Sequence, residues 1–378
     1  MTTRRHYLDH ASTSPARPEV VAAVSTWLAK PGDPGRIHAE GLEARVAVEA
    51  AREQVAALFG ARPRSVVFTS GGTEAVASAC WGAAERGGHQ VLAAVEHSAV
   101  RKAAEAAGDV SLVGVDRLGR VDPDELLSAV RGDTSLVHVQ WGNHEVGTRQ
   151  PVEEVVAGCR ERGVLVHVDA AAAGGHEPIR FDDLGADLMS VSAHKLGGPA
   201  GIGALLVRRG LRVRPLLLGG DQERARRAGL EPVALVAGFG AAAGALLDGG
   251  VAREGADQRR LTDRIIDAVP ALEGITVYGD PAHRLPHLVC LGVAGVEPQA
   301  VLLGLDRAGV AAHSGSSCSS ESLEPSPVLE AMGVDAHHSL RLSVGWSSTD
   351  ADVDAALGAL PGIVASLRAL ASDRRPSG

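Results

Sequence analysis

The stretch "SVSAHKLGGPAGIGALLV", residues 190–207, ends one apolar run at Ser192, crosses a polar cluster and a glycine-rich turn, and opens another apolar run at Gly203. Short apolar runs without polar alternation are the mark of parallel strands buried on both faces. These two runs are Leu188–Ser192 and Gly203–Val207, and five more precede them: Ser65–Thr69, Gln90–Val95, Val110–Val115, Ser135–Gln140 and Val164–Val168. Helix-like segments separate them: Pro18–Ala29, Glu40–Phe59, Glu74–Glu85, Ala99–Ala107, Asp124–Arg131 and Val152–Arg162. The alternation implies an α/β fold with a mainly parallel seven-stranded sheet flanked by helices, over residues 11–250. After Gly250 a long helix, short strands near 275–278, 288–291 and 340–344, and a last amphipathic helix from Asp350 imply a smaller α+β domain over 251–370, joined by residues 1–10. Residues 371–378 read as a flexible tail.

The quoted stretch also holds a lysine in a chain that hardly uses one. Of 37 basic Lys and Arg residues only Lys30, Lys102 and Lys195 are Lys. The formal charge of −9 disfavours non-specific binding to nucleic acid or to a membrane surface. The longest apolar run, Val233–Leu247, falls short of the ~20 residues that span a bilayer. No apolar segment follows the start "MTTRRHYLDH", so no secretory signal is expected. Cys80, Cys159, Cys290 and Cys318 form no CxxC and match no zinc spacing. A reduced, cytoplasmic protein with no metal site is the expectation.

In open α/β sheets ligands bind beyond the carboxyl ends of the strands, and the chemically capable residues collect there. "VFTSGGTE" (67–74) reads as strand, glycine turn and helix start, where Gly72, Thr73 and free backbone N–H groups can cradle a phosphate. A tight βα turn with no ligand is an equal reading of that motif alone. His97 follows one strand, Asn143 and Glu145 another, Asp169 a third, and Ser192, His194 and Lys195 a fourth. A phosphate cradle, a carboxylate, an imidazole and one lysine form the set that a pyridoxal phosphate (PLP) site needs. The amine bonds the aldehyde, the carboxylate holds the ring nitrogen's proton, and the imidazole stacks on the ring. Arg cannot form a Schiff base, which explains a lysine at 195.

These motifs, in order, resemble the class V aminotransferases, and among them the cysteine desulfurases. The resemblance runs from "YLDHASTSP" through "VFTSGGTE", "EHSAV", "GNHEVG", "HVDAA" and "SVSAHK" to "HSGSSCSSES" and "SLRLSVGW". It implies a PLP-dependent transferase of fold type I, acting as a homodimer. Lys195 would be the Schiff-base lysine, and Asp169 the ring-nitrogen partner. His97 would stack on the ring, and Gly72, Thr73, Ser192 and His194 would hold the phosphate. Asn143 would touch the ring-hydroxyl side. Arg341 would bind the substrate carboxylate, with Asp33 nearby. Cys318 would take the sulfur of L-cysteine as a persulfide and pass it to an acceptor protein or a tRNA-thiolation enzyme. The polar setting of Cys318 agrees with an exposed reactive thiol, whereas Cys80 and Cys290 sit among apolar residues and read as core. His6, His10, His176, His337 and His338 carry no pattern, and the paired arginines 208–209, 226–227 and 259–260 read as solvated, with a dimer partner as the other reading near Arg227.

The chain departs from the family at four places. Asp33 stands for Asn, Ala172 for Gln, Leu230 for a Thr that reaches the partner subunit's phosphate, and Val76-Ala77 for Asp-Asn. Three readings stand beside one another: a cysteine desulfurase; a C–S lyase, selenocysteine lyase or other β-eliminating enzyme on the same scaffold; and a non-catalytic sulfur-relay homologue.

Overall fold

The computed structural model describes residues 5–314 and 325–373. Its strands are β1 (His6–Tyr7), β2 (Val66–Thr69), β3 (His89–Ala93), β4 (Asp109–Val113), β5 (Thr134–Gln140), β6 (Leu165–Asp169), β7 (Leu188–Ser192), β8 (Gly203–Val207), β9 (Ile275–Tyr278), β10 (Leu288–Val293), β11 (Val310–Ala311) and β12 (Ser339–Ser343). Seven of them form one sheet in the order β2-β8-β7-β6-β5-β3-β4. Strands β4, β3, β5, β6 and β7 run parallel, while β8 is antiparallel to both β7 and β2. β2, β7 and β8 are buried along their whole length, as their unbroken apolar runs require.

Register is what positions the site. Gln140 on β5 pairs with Asp169 on β6, which pairs with Ser190 on β7, so three polar residues form a row across the carboxyl edge. Because β2 and β8 run in opposite senses, Thr69 at the end of β2 pairs with Gly203 at the start of β8, which also pairs with Ser192. A Cβ on Gly203 would lie 2.7 Å from the Gly71 carbonyl carbon and 2.6 Å from the Val191 oxygen. Only glycine lets the turn before helix Gly72–Ala83 lie against this strand end.

The apolar run from Val233 becomes a helix, Val233–Ala245, packed against helices Pro18–Leu28 and Ala39–Leu58. Gly240 makes that packing close, since a Cβ there would sit 2.6 Å from the Ala51 Cβ. A second core lies around the antiparallel sheet β12-β10-β9 and includes Leu8, Leu261, Ile265, Leu291, Leu342 and Leu360. β1 and β11, two residues each, pair in parallel beside it. Helix Asp350–Asp373 is long and apolar enough to pass a membrane-span test. Here Val353, Ala356, Leu360 and Val364 are buried in that second core, and Asp350 bridges Arg260 and Arg264. The helix continues to Asp373, so the first three residues of the expected tail are helical.

Histidine is unusually common inside. His138 and His167 meet through their Nδ1 atoms at 3.0 Å, and the His176 and His287 rings stack at 3.6 Å. Burial lowers all four, and His10 as well; His10, His167 and His176 fall to about 4 and the other two go well below 6.5. The unfolded chain takes up protons near pH 6.5 that the folded chain refuses until about 4, so stability falls as pH drops through this window. Each such imidazole removes up to about 1.4 kcal/mol per pH unit below 6.5. The melting temperature measured at pH 5.5 is therefore expected well below that at pH 7.5, and equal values would contradict neutral burial of this group.

Candidate active site

A cavity of ≈ 300 Å³ opens at the carboxyl edge of the large sheet. Asp169, Lys195, His97, Ser192, His194, Gly72, Thr73 and Arg341 all line it. Residues dispersed over 270 positions of chain thus face one space.

Asp169 is 8% exposed. Its Oδ1 accepts hydrogen bonds from the Ala171 N–H (3.0 Å) and the Ser190 hydroxyl (2.9 Å). Its Oδ2 has no partner among the described residues, and neither does Lys195 Nζ. A carboxylate at a strand end is costly to bury unless its charge is answered; here half of it is left to whatever enters the cavity. Burial lowers the Lys195 amine to about 8, against the opposing pull of Asp169. About a tenth is therefore the free, nucleophilic base at pH 7, far more than for an ordinary lysine.

His97 caps helix Ser98–Ala107, with Nδ1 accepting from the Ala99 N–H at 3.0 Å. That bond requires an unprotonated Nδ1. Burial, with the His144 and Lys195 charges, holds the ring at about 3, so it is neutral. Ser192 Oγ lies 2.9 Å from His194 Nδ1, joining two expected phosphate partners into one polar patch. Facing them, the first-turn N–H groups of helix Gly72–Ala83 lack acceptors among the described residues, the ordinary state of a helix N-terminus. A Cβ on Gly72 would stand 3.6 Å from those of Ala171 and Ser192. These donors match a phosphate, the free Oδ2 matches a protonated ring nitrogen, and the buried amine matches an aldehyde. The residues present fit PLP.

Arg341 is buried, with Nη1 donating to the His144 carbonyl (2.8 Å) and Nη2 to Ser12 Oγ (2.9 Å) and Asp9 Oδ1 (3.1 Å). Its Nε has no partner among the described residues. The guanidinium is therefore fixed in place with donor capacity left over.

Two expected residues are not brought to the cavity. Asn143 is fully buried: its Oδ1 accepts from the Glu145 and Val146 N–H groups, and its Nδ2 donates to the Val95 carbonyl. It holds the loop after β5, and its neighbour His144 is the residue that lines the cavity. The Asx turn was legible in "WGNHEVG", since Asn bonds its own backbone two residues on; which neighbour then faces inward was not. Asp33 is part-exposed and accepts from the Gly35 N–H and Arg36 Nε, in a groove lined also by Arg52 and Glu223. Leu230 is 59% exposed. Ala172 and Val76, two of the departures, line the cavity as apolar wall. Cys318 lies outside the described residues. Pattern reading also passed over His144, His313 and Ser12, which line the cavity. Arg227 is not solvated as expected; it pairs with Glu74 at 2.9 Å and ties residues 222–230 to the phosphate-side helix.

A family model described as aminotransferase class-V matches residues 6–356. The chain is 39% identical to the cysteine desulfurase IscS of Dictyoglomus turgidum, over 97% of this chain and 96% of the relative. Among solved structures it is similar to a NifS-like protein (TM-score 0.89, 30% identity, 96% of this chain and 100% of that one). It is also similar to SspA in complex with cysteine (TM-score 0.80, 27% identity, 91% and 100%).

The loop geometry has a testable cost. Asn143→Ala is expected to lower stability by about 1–3 kcal/mol in urea unfolding, because it strands buried N–H groups. Thr73→Ala, which loses an exposed hydroxyl, should change it by under about 0.5 kcal/mol. Equal, small effects would return the Asn143 amide to the cavity.

Proposed function

The chain belongs to the class V aminotransferase family, and from that premise we propose that it is a PLP-dependent cysteine desulfurase. It converts L-cysteine and a Cys318 thiol into L-alanine and a Cys318 persulfide. The observation that carries the reading is the pairing of a buried, partly neutral Lys195 with an Asp169 oxygen lacking a protein partner, in one cavity.

PLP bound there supplies an electron sink that loosens the substrate's α-proton and then its Cβ–S bond. Lys195 would hold the cofactor, and its Nζ, lowered to about 8, would be the base that takes the substrate's α-proton. Asp169 keeps the ring nitrogen protonated. Ser192, His194, Thr73 and the first turn of helix Gly72–Ala83 bind the phosphate, and neutral His97 packs on the ring. Arg341 would receive the substrate carboxylate through the donor capacity that its three protein bonds leave over. His144, which lines the cavity, would take the polar position that the resemblance gave to Asn143. The Cys318 thiolate accepts the sulfur as the C–S bond breaks, and Cβ is protonated. The persulfide then passes to an acceptor, a protein or a tRNA-thiolation enzyme.

We read residues 11–250 as the cofactor-holding domain and 251–370, with 1–10, as the smaller domain that carries the Cys318 segment. A homodimer is supported by exposed apolar side chains at Ile37, Leu42, Val46, Leu218 and Leu230. A cytoplasmic, reducing location accords with the free thiols at Cys80, Cys159 and Cys290.

Product analysis tests the reading. With PLP, L-cysteine and a reductant, the protein is expected to release alanine and sulfide in equal amounts, with Cys318→Ala losing at least about 100-fold. Pyruvate, or indifference to the substitution, would make it a lyase. Bound cofactor with no turnover of cysteine would assign it another substrate.

A further inference from the structure

Glu96 immediately precedes His97, yet its side chain turns inward and is 4% exposed. Oε1 accepts one hydrogen bond, from the Gln140 N–H at 2.8 Å. Oε2 is fully buried and has no partner among the described residues. No cation pairs with this carboxyl among the described residues. Gln140 is the register partner of Asp169, so two carboxyl groups converge on the ends of β5 and β6.

Their surroundings differ. Asp169 receives two donors on one oxygen and opens its other oxygen to the cavity, beside Lys195. Glu96 receives one donor and is shut away from solvent. Two carboxyls in unequal environments divide the roles: the better-served one keeps the charge, the poorly served one keeps the proton.

We propose that Glu96 is a positioning residue held as the neutral carboxylic acid, so that Asp169 alone is negative at this end of the sheet. The consequence for the cofactor rests on the reading above. A single carboxylate faces the ring nitrogen, with no second anion to distort the balance between ring and lysine. Burial first, and then the Asp169 charge, raise the Glu96 carboxyl to about 8. The other titratable groups near this end are His97 on its own loop, His144 on the loop after β5, and Lys195 beyond β7; Asp169 is the one whose charge acts on it.

The sign is open to direct test on the apoprotein, which separates it from any failure of the cofactor reading. A carboxyl raised from 4.5 to about 8 on folding binds its proton more tightly when folded, so wild type loses stability as pH climbs from 4.5 to about 8. Glu96→Gln has no such loss. Its melting temperature is expected to exceed that of wild type by a gap that widens by several degrees from pH 5.5 to pH 8. A variant that melts lower throughout, or a gap independent of pH, would show an ionised, attractively held Glu96 and overturn the proposal. Should Glu96→Gln not fold, infrared titration of wild type decides. A carboxylic-acid stretch should persist at pH 7, fall to about half near pH 8, and titrate at lower pH in Asp169→Asn. Its absence at pH 7 would overturn the proposal.

Discussion

Asp169 closes a strand that is otherwise Leu, Val, His and Val, buried from Val166 onward. Placing a carboxylate at the end of such a strand is unfavourable unless donors and a positive partner meet it. The fold meets half of that demand, with Ser190 from the next strand and the Ala171 N–H from the turn. The other half faces Lys195 across the cavity. Strand register makes this possible, because Gln140, Asp169 and Ser190 fall in one row only if β5, β6 and β7 pair as they do. A slip of one residue would send Asp169 to the opposite face of the sheet.

The same edge explains how the cavity tolerates the loss of polar groups around it. Ala172 and Val76 put apolar wall where the family resemblance expects an amide and an acid. One missing neutral hydrogen bond is worth about 1 kcal/mol. The donors that remain are a helix N-terminus, the hydrogen-bonded side chains of Ser192 and His194, and the Lys195 amine. Imidazoles fill much of the remaining polar space. His97 and His144 meet edge to face at 4.9 Å, with His97 held neutral. A site furnished this way carries little formal charge beyond Asp169, Lys195 and the Arg341–Asp9 pair.

The sheet was legible because most of its strands carry short apolar runs, the part-exposed edge strand β4 being the weakest; Leu188–Ser192 and Gly203–Val207 were located to the residue. β1 and β11 were not, since two residues carry no periodicity and their pairing joins position 6 to 310 and 7 to 311. Lys195, Asp169, His97 and the glycine turn were legible because strand ends fix where their side chains point. Loops give no such rule. Asn143 and His144 are adjacent and both polar, and only the Asx turn decides which one faces inward. His10 and His176 offered no pattern; they are buried beside Tyr7 and Ser14, and beside His287 and Gln258. Asp33 was placed by resemblance alone, and here its carboxylate is taken up by its own turn.

The account stands on one covalent attachment point, and the chain's three lysines make it easy to locate. Borohydride reduction of the PLP-loaded protein, followed by peptide mass mapping, should find the pyridoxyl mass on the peptide containing Lys195 and nowhere else. Label on Lys30 or Lys102, or no label on a protein that binds the cofactor, would contradict it.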